Sequence, residues 1–254
     1  MKISGINKFR DEFLGFEDYY VLIGGSAASV LVDDMGFDFR ATHDLDIVLI
    51  IEKIDDAFTT KFQEFVNNGG YTPMINESGS DSHFYRFEKP TTPEYPAMLE
   101  LFARKPIDFE LSVLNQKRPI HISDNVPSLS ALLLDDEYYQ LLKDNMVVIN
   151  GLSVVTAPAL IAFKAKAYLD LNERKSNGER VDSKNIKKHL RDIMIMSQYV
   201  EDNIVIPESI QSDMSIFLTK FVEDVDFDPA VRYKGVVLIN KAEIVQVLRD
   251  LFGV

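Results

Sequence analysis

The chain has no cysteine. Disulfides and thiolate metal sites are therefore excluded, and the composition fits a reducing compartment. The opening residues Met1-Lys2-Ile3-Ser4-Gly5 lack the apolar stretch of a signal peptide. No apolar run approaches the roughly 20 residues of a membrane-spanning helix. The expectation is a soluble cytoplasmic protein with no membrane partner. Internal repeats and low-complexity tracts are absent too. Positive charge is scarce: 27 Lys and Arg face 40 Asp and Glu, a formal net charge of −13. That balance opposes a broad nucleic-acid-binding surface, because phosphate contacts need Lys and Arg. The deficit is uneven, however. Residues 164–191 hold nine Lys or Arg against four acids. This window reads either as two amphipathic helices with solvated basic faces or as an electropositive wall for a triphosphate or an acceptor substrate.

At 254 residues and 46% hydrophobic content, the chain can form one large domain or two modest ones around a sizeable core. Its most informative stretch is Arg40-Ala41-Thr42-His43-Asp44-Leu45-Asp46, followed at once by Ile47-Val48-Leu49-Ile50-Ile51. The apolar run predicts a buried strand over 44–52. Side chains two apart on a strand share a face, so Asp44 and Asp46 project together. Two adjacent carboxylates repel unless a positive charge lies between them. All-oxygen ligands suit magnesium. Upstream, Tyr19–Ile23 predicts a second short strand that runs into Gly24-Gly25-Ser26 and a helix over 26–34. Glycines that admit close backbone approach, followed by a helix N-terminus, make an anion site. A phosphate cradle beside paired carboxylates is suited to metal-assisted phosphoryl or nucleotidyl transfer.

The rest of the chain predicts a helix over 5–17 and an amphipathic helix over 54–67, stopped by Asn68-Gly69-Gly70. Strands over 83–87 and 97–103 pair across a Pro-rich loop, 89–96. The sheet extends through strands over 138–142 and 146–155, the latter broken at Asn150-Gly151. From Pro158, placed for a first helical turn, the pattern turns helical, with helices over 158–174, 184–200, 207–222 and 240–252. The expected fold class is α+β: a mixed sheet with helices over 1–155, then an all-helical half over 156–254 that completes a nucleotide and substrate cleft. Tyr138 and Tyr139 are expected to pack in the core.

These residues resemble the nucleotidyltransferases of the DNA polymerase beta superfamily, whose signature is a Gly-Gly/Ser turn followed by an Asp-apolar-Asp strand. Within it the chain is most similar to the AbiEii-like enzymes, the toxin class of type IV toxin–antitoxin systems and their relatives. The family's Arg-x-Thr-x-Asp-apolar-Asp motif is matched by Arg40, Thr42, Asp44 and Asp46. Its Gly-Ser-x-x-x-Leu-Arg motif is matched by Gly25 and Ser26, with Val30 and Leu31 at the last two positions. Its Lys-x-x-Ala-Leu-x-x-Arg motif is matched by Lys164 and Ala167, with Tyr168 and Leu171 departing. Asp192 stands for the helical aspartate of the fourth motif. The resemblance spans roughly residues 18–195 and implies a mixed-sheet nucleotidyltransferase fold with magnesium, or manganese, and a nucleoside triphosphate as substrate.

Two-metal transfer calls for a third acid. Glu100, inside the apolar Met98-Leu99-Glu100-Leu101-Phe102, is the first candidate, since a charge there is costly unless paired or ligating. The alternatives are Glu100 on the wet face of an edge strand, or Asp108 or Glu110 in its place. The expected metal ligands are Asp44, Asp46 and Glu100. Gly24, Gly25, Ser26, Arg40, Thr42, Lys166 and Asp192 are expected around the nucleotide. The resemblance implies that Lys164 neutralises phosphate charge. Lys164 also reads as a solvated lysine, and Asp192 as a partner of Lys188 four residues earlier. The resemblance admits a tRNA end, a protein or a small molecule as acceptor, and an antitoxin protein as partner if the chain is a toxin. The rival from another class is an inert module of this fold that senses nucleotides or binds proteins.

Overall fold

The computed structural model describes residues 3–37, 39–74, 85–102, 107–113, 116–120, 135–200, 203–224 and 240–254, with backbone alone at 73–74, 85, 107–113 and 116–120. The chain divides into two compact units: Met1–Leu134 with Met146–Val155, and Asp135–Asn145 with Thr156–Val254.

The first unit is built on a mixed seven-stranded sheet of order β3-β4-β5-β2-β1-β9-β8. The strands are β1 (Tyr20–Leu22), β2 (Asp44–Leu49), β3 (Thr72–Met74), β4 (Tyr85–Glu88), β5 (Met98–Phe102), β8 (Met146–Ile149) and β9 (Leu152–Val155). Pairs β2–β5 and β1–β9 are parallel; β1–β2, β3–β4, β4–β5 and β8–β9 are antiparallel. A separate antiparallel hairpin joins β6 (Ile107–Val113) to β7 (Gln116–Ile120). The expected α+β class with a mixed sheet is therefore what the chain adopts. The β8–β9 turn is Asn150-Gly151, with φ of 51° and 78°. Positive φ at both central residues is what a two-residue hairpin loop requires, and Asn-Gly supplies it at least strain.

Among the described residues, three α-helices serve this sheet: α1 (Ile6–Glu12), α2 (Gly24–Asp34) and α3 (Asp56–Gly69). Asp55 caps α3 by accepting from the Phe58 N–H at 2.8 Å, and Gly70 ends it in the left-handed region. The core beneath is aromatic. Phe13 is fully buried and meets the rings of Phe9, Tyr20, Phe58, Phe62 and Phe65 at centroid separations of 4.5 to 6.2 Å. Such pairs add about 0.5–1.5 kcal/mol each beyond area burial. The α1 and α3 faces are thereby fixed to β1, the strand that leads into the glycine turn.

The second unit is helical: α4 (Asp136–Asp144), α5 (Ala157–Ser176), α6 (Ser183–Met196), α7 (Glu208–Glu223) and α8 (Lys241–Phe252). The four later helices fall where the periodicity predicts them. Helix α4 corrects the strand expected over 138–142. Asp135 caps its first turn, accepting from the N–H groups of Glu137 and Tyr138. Tyr138, Tyr139, Leu141 and Leu142 are all buried, at a helical rather than an alternating spacing. The expected packing of the two tyrosines holds. The Tyr138 hydroxyl donates to Asp213 Oδ2 at 3.0 Å, tying α4 to α7, and burial pushes its pKa up.

Candidate active site

Strand β2 places the aspartates as the alternation predicts. Leu45 and Ile47 are fully buried, whereas Asp44 and Asp46 are half-exposed on the opposite face. The parallel register sets Asp46 beside Glu100 and Asp44 beside Met98. On its other side β5 pairs with β4, which sets Glu100 beside Arg86 and Met98 beside Glu88. One sheet face therefore carries two rows across three strands: Arg86, Glu100 and Asp46, then Glu88, Met98 and Asp44. Glu100 lies on an interior strand with its side chain 17% exposed, not on an edge strand. It pairs ionically with Arg86. Like charges side by side on a sheet destabilise it; Arg86 offsets the repulsion between Glu100 and Asp46.

Chain topology delivers the glycine turn to the same carboxylates. Strand β1 runs antiparallel to β2, so its C-terminal end meets the start of β2, and the Ile23 N–H donates to the Asp46 carbonyl at 3.0 Å. Helix α2 begins at Gly24, two residues before the predicted start, and Gly24 itself takes φ 63°, which glycine adopts without strain. The Gly25 N–H donates to Asp46 Oδ2 at 3.3 Å, so the carboxylate serves the helix N-terminus. A Cβ on Gly24 would overlap Asp46 Oδ2. A Cβ on Gly25 would lie 2.9 Å from Thr42 Oγ1 and 3.1 Å from an Arg40 guanidinium nitrogen. Gly24 is required by its positive φ, a Cβ on Gly25 would push on the ends of the Thr42 and Arg40 side chains, and Arg40, Thr42 and Asp46 thus gather around the Gly24-Gly25 turn. Thr42 is 7% exposed and bridges Ile3 through its backbone; Arg40 also stacks on the Phe39 ring at 5.2 Å.

Other expected residues are placed differently. The Ser26 hydroxyl is fully buried and donates to the Ile23 carbonyl at 2.9 Å, bracing the turn. In the second unit, Lys164 and Asp192 are each almost wholly buried, and Lys164 Nζ lies 2.7 Å from Asp192 Oδ2. Lys164 and Asp192 meet each other, a pairing that sequence spacing could not show. Lys164 is thus not a solvated lysine. Lys166 reaches Asp213, at 3.0 Å. The side chains of Asp108 and Glu110 lie outside the described residues, as does His83.

The donor chemistry fits a hard divalent cation: carboxylate oxygens on one face, facing a glycine cradle that a Cβ would fill. Among the described residues no three His, Asp or Glu side chains are gathered closely enough to hold one. Asp46 is turned to the α2 N-terminus and Glu100 to Arg86, so closing a ligand set needs side-chain rotation. Arg86 escaped the sequence reading. The alternation in Tyr85-Arg86-Phe87-Glu88 marks its face, but only the strand register brings it to Glu100.

No protein-family model matches the chain, and no curated protein matches it. Two solved structures are similar over most of its length. The crystal structure of JHP933 from Helicobacter pylori is 16% identical with TM-score 0.42, covering 97% of this chain and 89% of that one. A second, described as "putative nucleotidyltransferase from H. pylori", is 14% identical with TM-score 0.40, covering 97% and 91%. Likenesses this distant carry no functional weight. Among the described residues no helix is long and apolar enough to cross a membrane.

Proposed function

We propose that the chain is a magnesium-dependent nucleotidyltransferase, which moves a nucleoside monophosphate from a triphosphate to an acceptor hydroxyl. The observation that carries this reading is the gathering of Arg40, Thr42 and Asp46 around the Gly24-Gly25 turn, beside Asp44 and one strand from Glu100. Helix α2 offers N–H groups and the positive end of its dipole to the triphosphate. Arg40, held against Gly25, adds a guanidinium suited to phosphate oxygens. Asp44, Asp46 and Glu100 would hold magnesium, or manganese, which supplies charge neutralisation and nucleophile activation when bound. The acceptor oxygen attacks the α-phosphorus, the bond to the β-phosphate oxygen breaks, pyrophosphate leaves with the electron pair, and the hydroxyl proton passes to water. Ser26 acts by fixing the turn rather than by touching phosphate. Lys166 and Asp192 are kept as nucleotide-side candidates only through the family resemblance, as is a toxin role with an antitoxin partner.

The inert-module reading draws on one observation: Glu100, Ser26 and Lys164 are each already engaged by a protein partner. Magnesium-dependent pyrophosphate release separates the two. The wild-type chain with each labelled triphosphate and a cell extract should release pyrophosphate and pass label to one fraction. Glu100→Gln should lose release while retaining triphosphate binding. No release by the wild type, with binding intact, would favour the inert module.

A further inference from the structure

In the row formed by Arg86, Glu100 and Asp46, Arg86 is the member to which nucleotidyl transfer has so far assigned no task. Its place is fixed from the opposite face of the sheet. Phe87 is buried, its ring 6.2 Å from that of Phe62 on α3, and it pairs with the buried Leu99. Leu99 in turn pairs with the buried Leu45. A slip of one residue would carry this apolar row to the other face, so the register is strongly specified. Alternation then lines up Arg86, Glu100 and Asp46 on the charged face, with strands roughly 4.8 Å apart.

Burial makes the two ion-pair partners unequal. The Glu100 side chain is 17% exposed and the Arg86 side chain 41%. Water reaches the carboxylate poorly, so it depends on its counter-ion. The guanidinium is well hydrated and can be exchanged readily. A second guanidinium, that of Arg40, stands at the Gly25 turn, whose N–H holds Asp46. Three carboxylates, of Asp44, Asp46 and Glu100, thus share the site with two guanidiniums, one on β4 and one at the turn. These five side chains together carry a single surplus negative charge. A bare dication added to them leaves the site net positive. A dication that arrives on a triphosphate brings its own anions, and the guanidiniums then help to hold it.

We infer that Arg86 is a positioning residue that gates the metal site: it holds Glu100 against bare divalent ions and yields the carboxylate only to a metal that arrives with the triphosphate. This role rests on the nucleotidyltransferase reading and adds a regulation of the same site. Without Arg86, Glu100 and Asp46 on neighbouring strands would offer their oxygens to any free divalent ion. With it, metal and nucleotide must bind together. Charge is the property that matters most, so a lysine at position 86 should keep most of the gate while losing the planar fork.

The test titrates the full chain with manganese alone, reading the free ion by electron paramagnetic resonance, and repeats the titration with a non-hydrolysable triphosphate. In the wild type the triphosphate should tighten manganese binding by about tenfold or more. Arg86→Met and Arg86→Gln should each bind manganese alone about tenfold more tightly than wild type, and the triphosphate should then add little. Thermal midpoints serve as the folding control, and two neutral variants guard against one that fails to fold. Arg86→Lys should stay close to wild type. Adding Glu100→Gln to Arg86→Met should abolish the gain, because the released carboxylate is the ligand. Neutral variants that bind bare manganese no more tightly than wild type, or a gain that survives Glu100→Gln, would overturn the gate. Failure of the wild type to bind any triphosphate in a metal-dependent way would overturn the nucleotidyltransferase reading instead. The two failures are distinguishable, because the titration without nucleotide reads Arg86 and Glu100 alone.

Discussion

Lys164→Met removes the ammonium from a buried ion pair and leaves the Asp192 charge behind. The side chains of Lys164 and Asp192 are 4% and 1% exposed, and their contact is 2.7 Å. Removing one partner of such a pair costs about 3–5 kcal/mol, because the remaining charge was desolvated for its partner. Asp192 is engaged beyond its contact with Lys164, so the expectation lies at the lower end, about 3 kcal/mol. For a chain of this size that lowers the thermal midpoint by roughly 6–12 °C. Replacing both partners with apolar groups, Lys164→Met with Asp192→Leu, removes the stranded charge and should return stability to within about 1 kcal/mol of wild type. Urea unfolding followed by far-UV circular dichroism measures all three proteins and the remaining single variant, closing a double-mutant cycle. A single-variant cost below about 1 kcal/mol, or a double variant no better than Lys164→Met, would refute the buried-pair reasoning. Loss of triphosphate affinity without loss of stability would instead return Lys164 to the phosphates.

Gly25→Ala places a methyl 2.9 Å from Thr42 Oγ1 and 3.1 Å from the Arg40 guanidinium; calorimetric affinity for a non-hydrolysable triphosphate should fall at least tenfold, and unchanged affinity would remove the cradle. Arg86→Met leaves Glu100 beside Asp46 without its counter-ion; at its partial exposure the loss should be about 1 kcal/mol, and manganese should raise the melting temperature of the variant more than that of wild type. Glu12 is held below the usual carboxylate range, chiefly by its hydrogen bond from Lys61 and then by that from Lys8. Its contribution is therefore present above the unfolded glutamate pKa and lost as pH falls through the depressed folded value. Glu12→Gln should flatten the acid limb of a stability-versus-pH curve, and an unchanged limb would refute the linkage.

The strands and helices that carry clear periodicity were legible. The β2 alternation gave the shared face of Asp44 and Asp46, and the period of the C-terminal half gave α5 to α8. Helix α4 is not legible in the sequence because Tyr138, Tyr139, Leu141 and Leu142 form too short an apolar run to separate strand from helix; the Asp135 cap settles it only in the structure. The site was legible where chemistry is local in sequence: two glycines, then Arg40, Thr42, Asp44 and Asp46. It was illegible where it depends on register. Arg86 reaches Glu100 only because β4 and β5 pair as they do, and Lys164 reaches Asp192 only through the packing of α5 on α6. The direction of the Ser26 hydroxyl could not be read from sequence either, since a serine in the first turn of a helix can face a ligand or its own backbone with equal chemical sense.

The central claim is that Asp46, beside the α2 N-terminus, binds a metal-bound triphosphate. Titration calorimetry of the wild-type chain with a non-hydrolysable triphosphate, with and without manganese, tests it most directly, beside Asp46→Asn. The account predicts binding that requires the metal and that Asp46→Asn abolishes while the variant stays folded. Equal binding by wild type and Asp46→Asn, or binding indifferent to manganese, would contradict it.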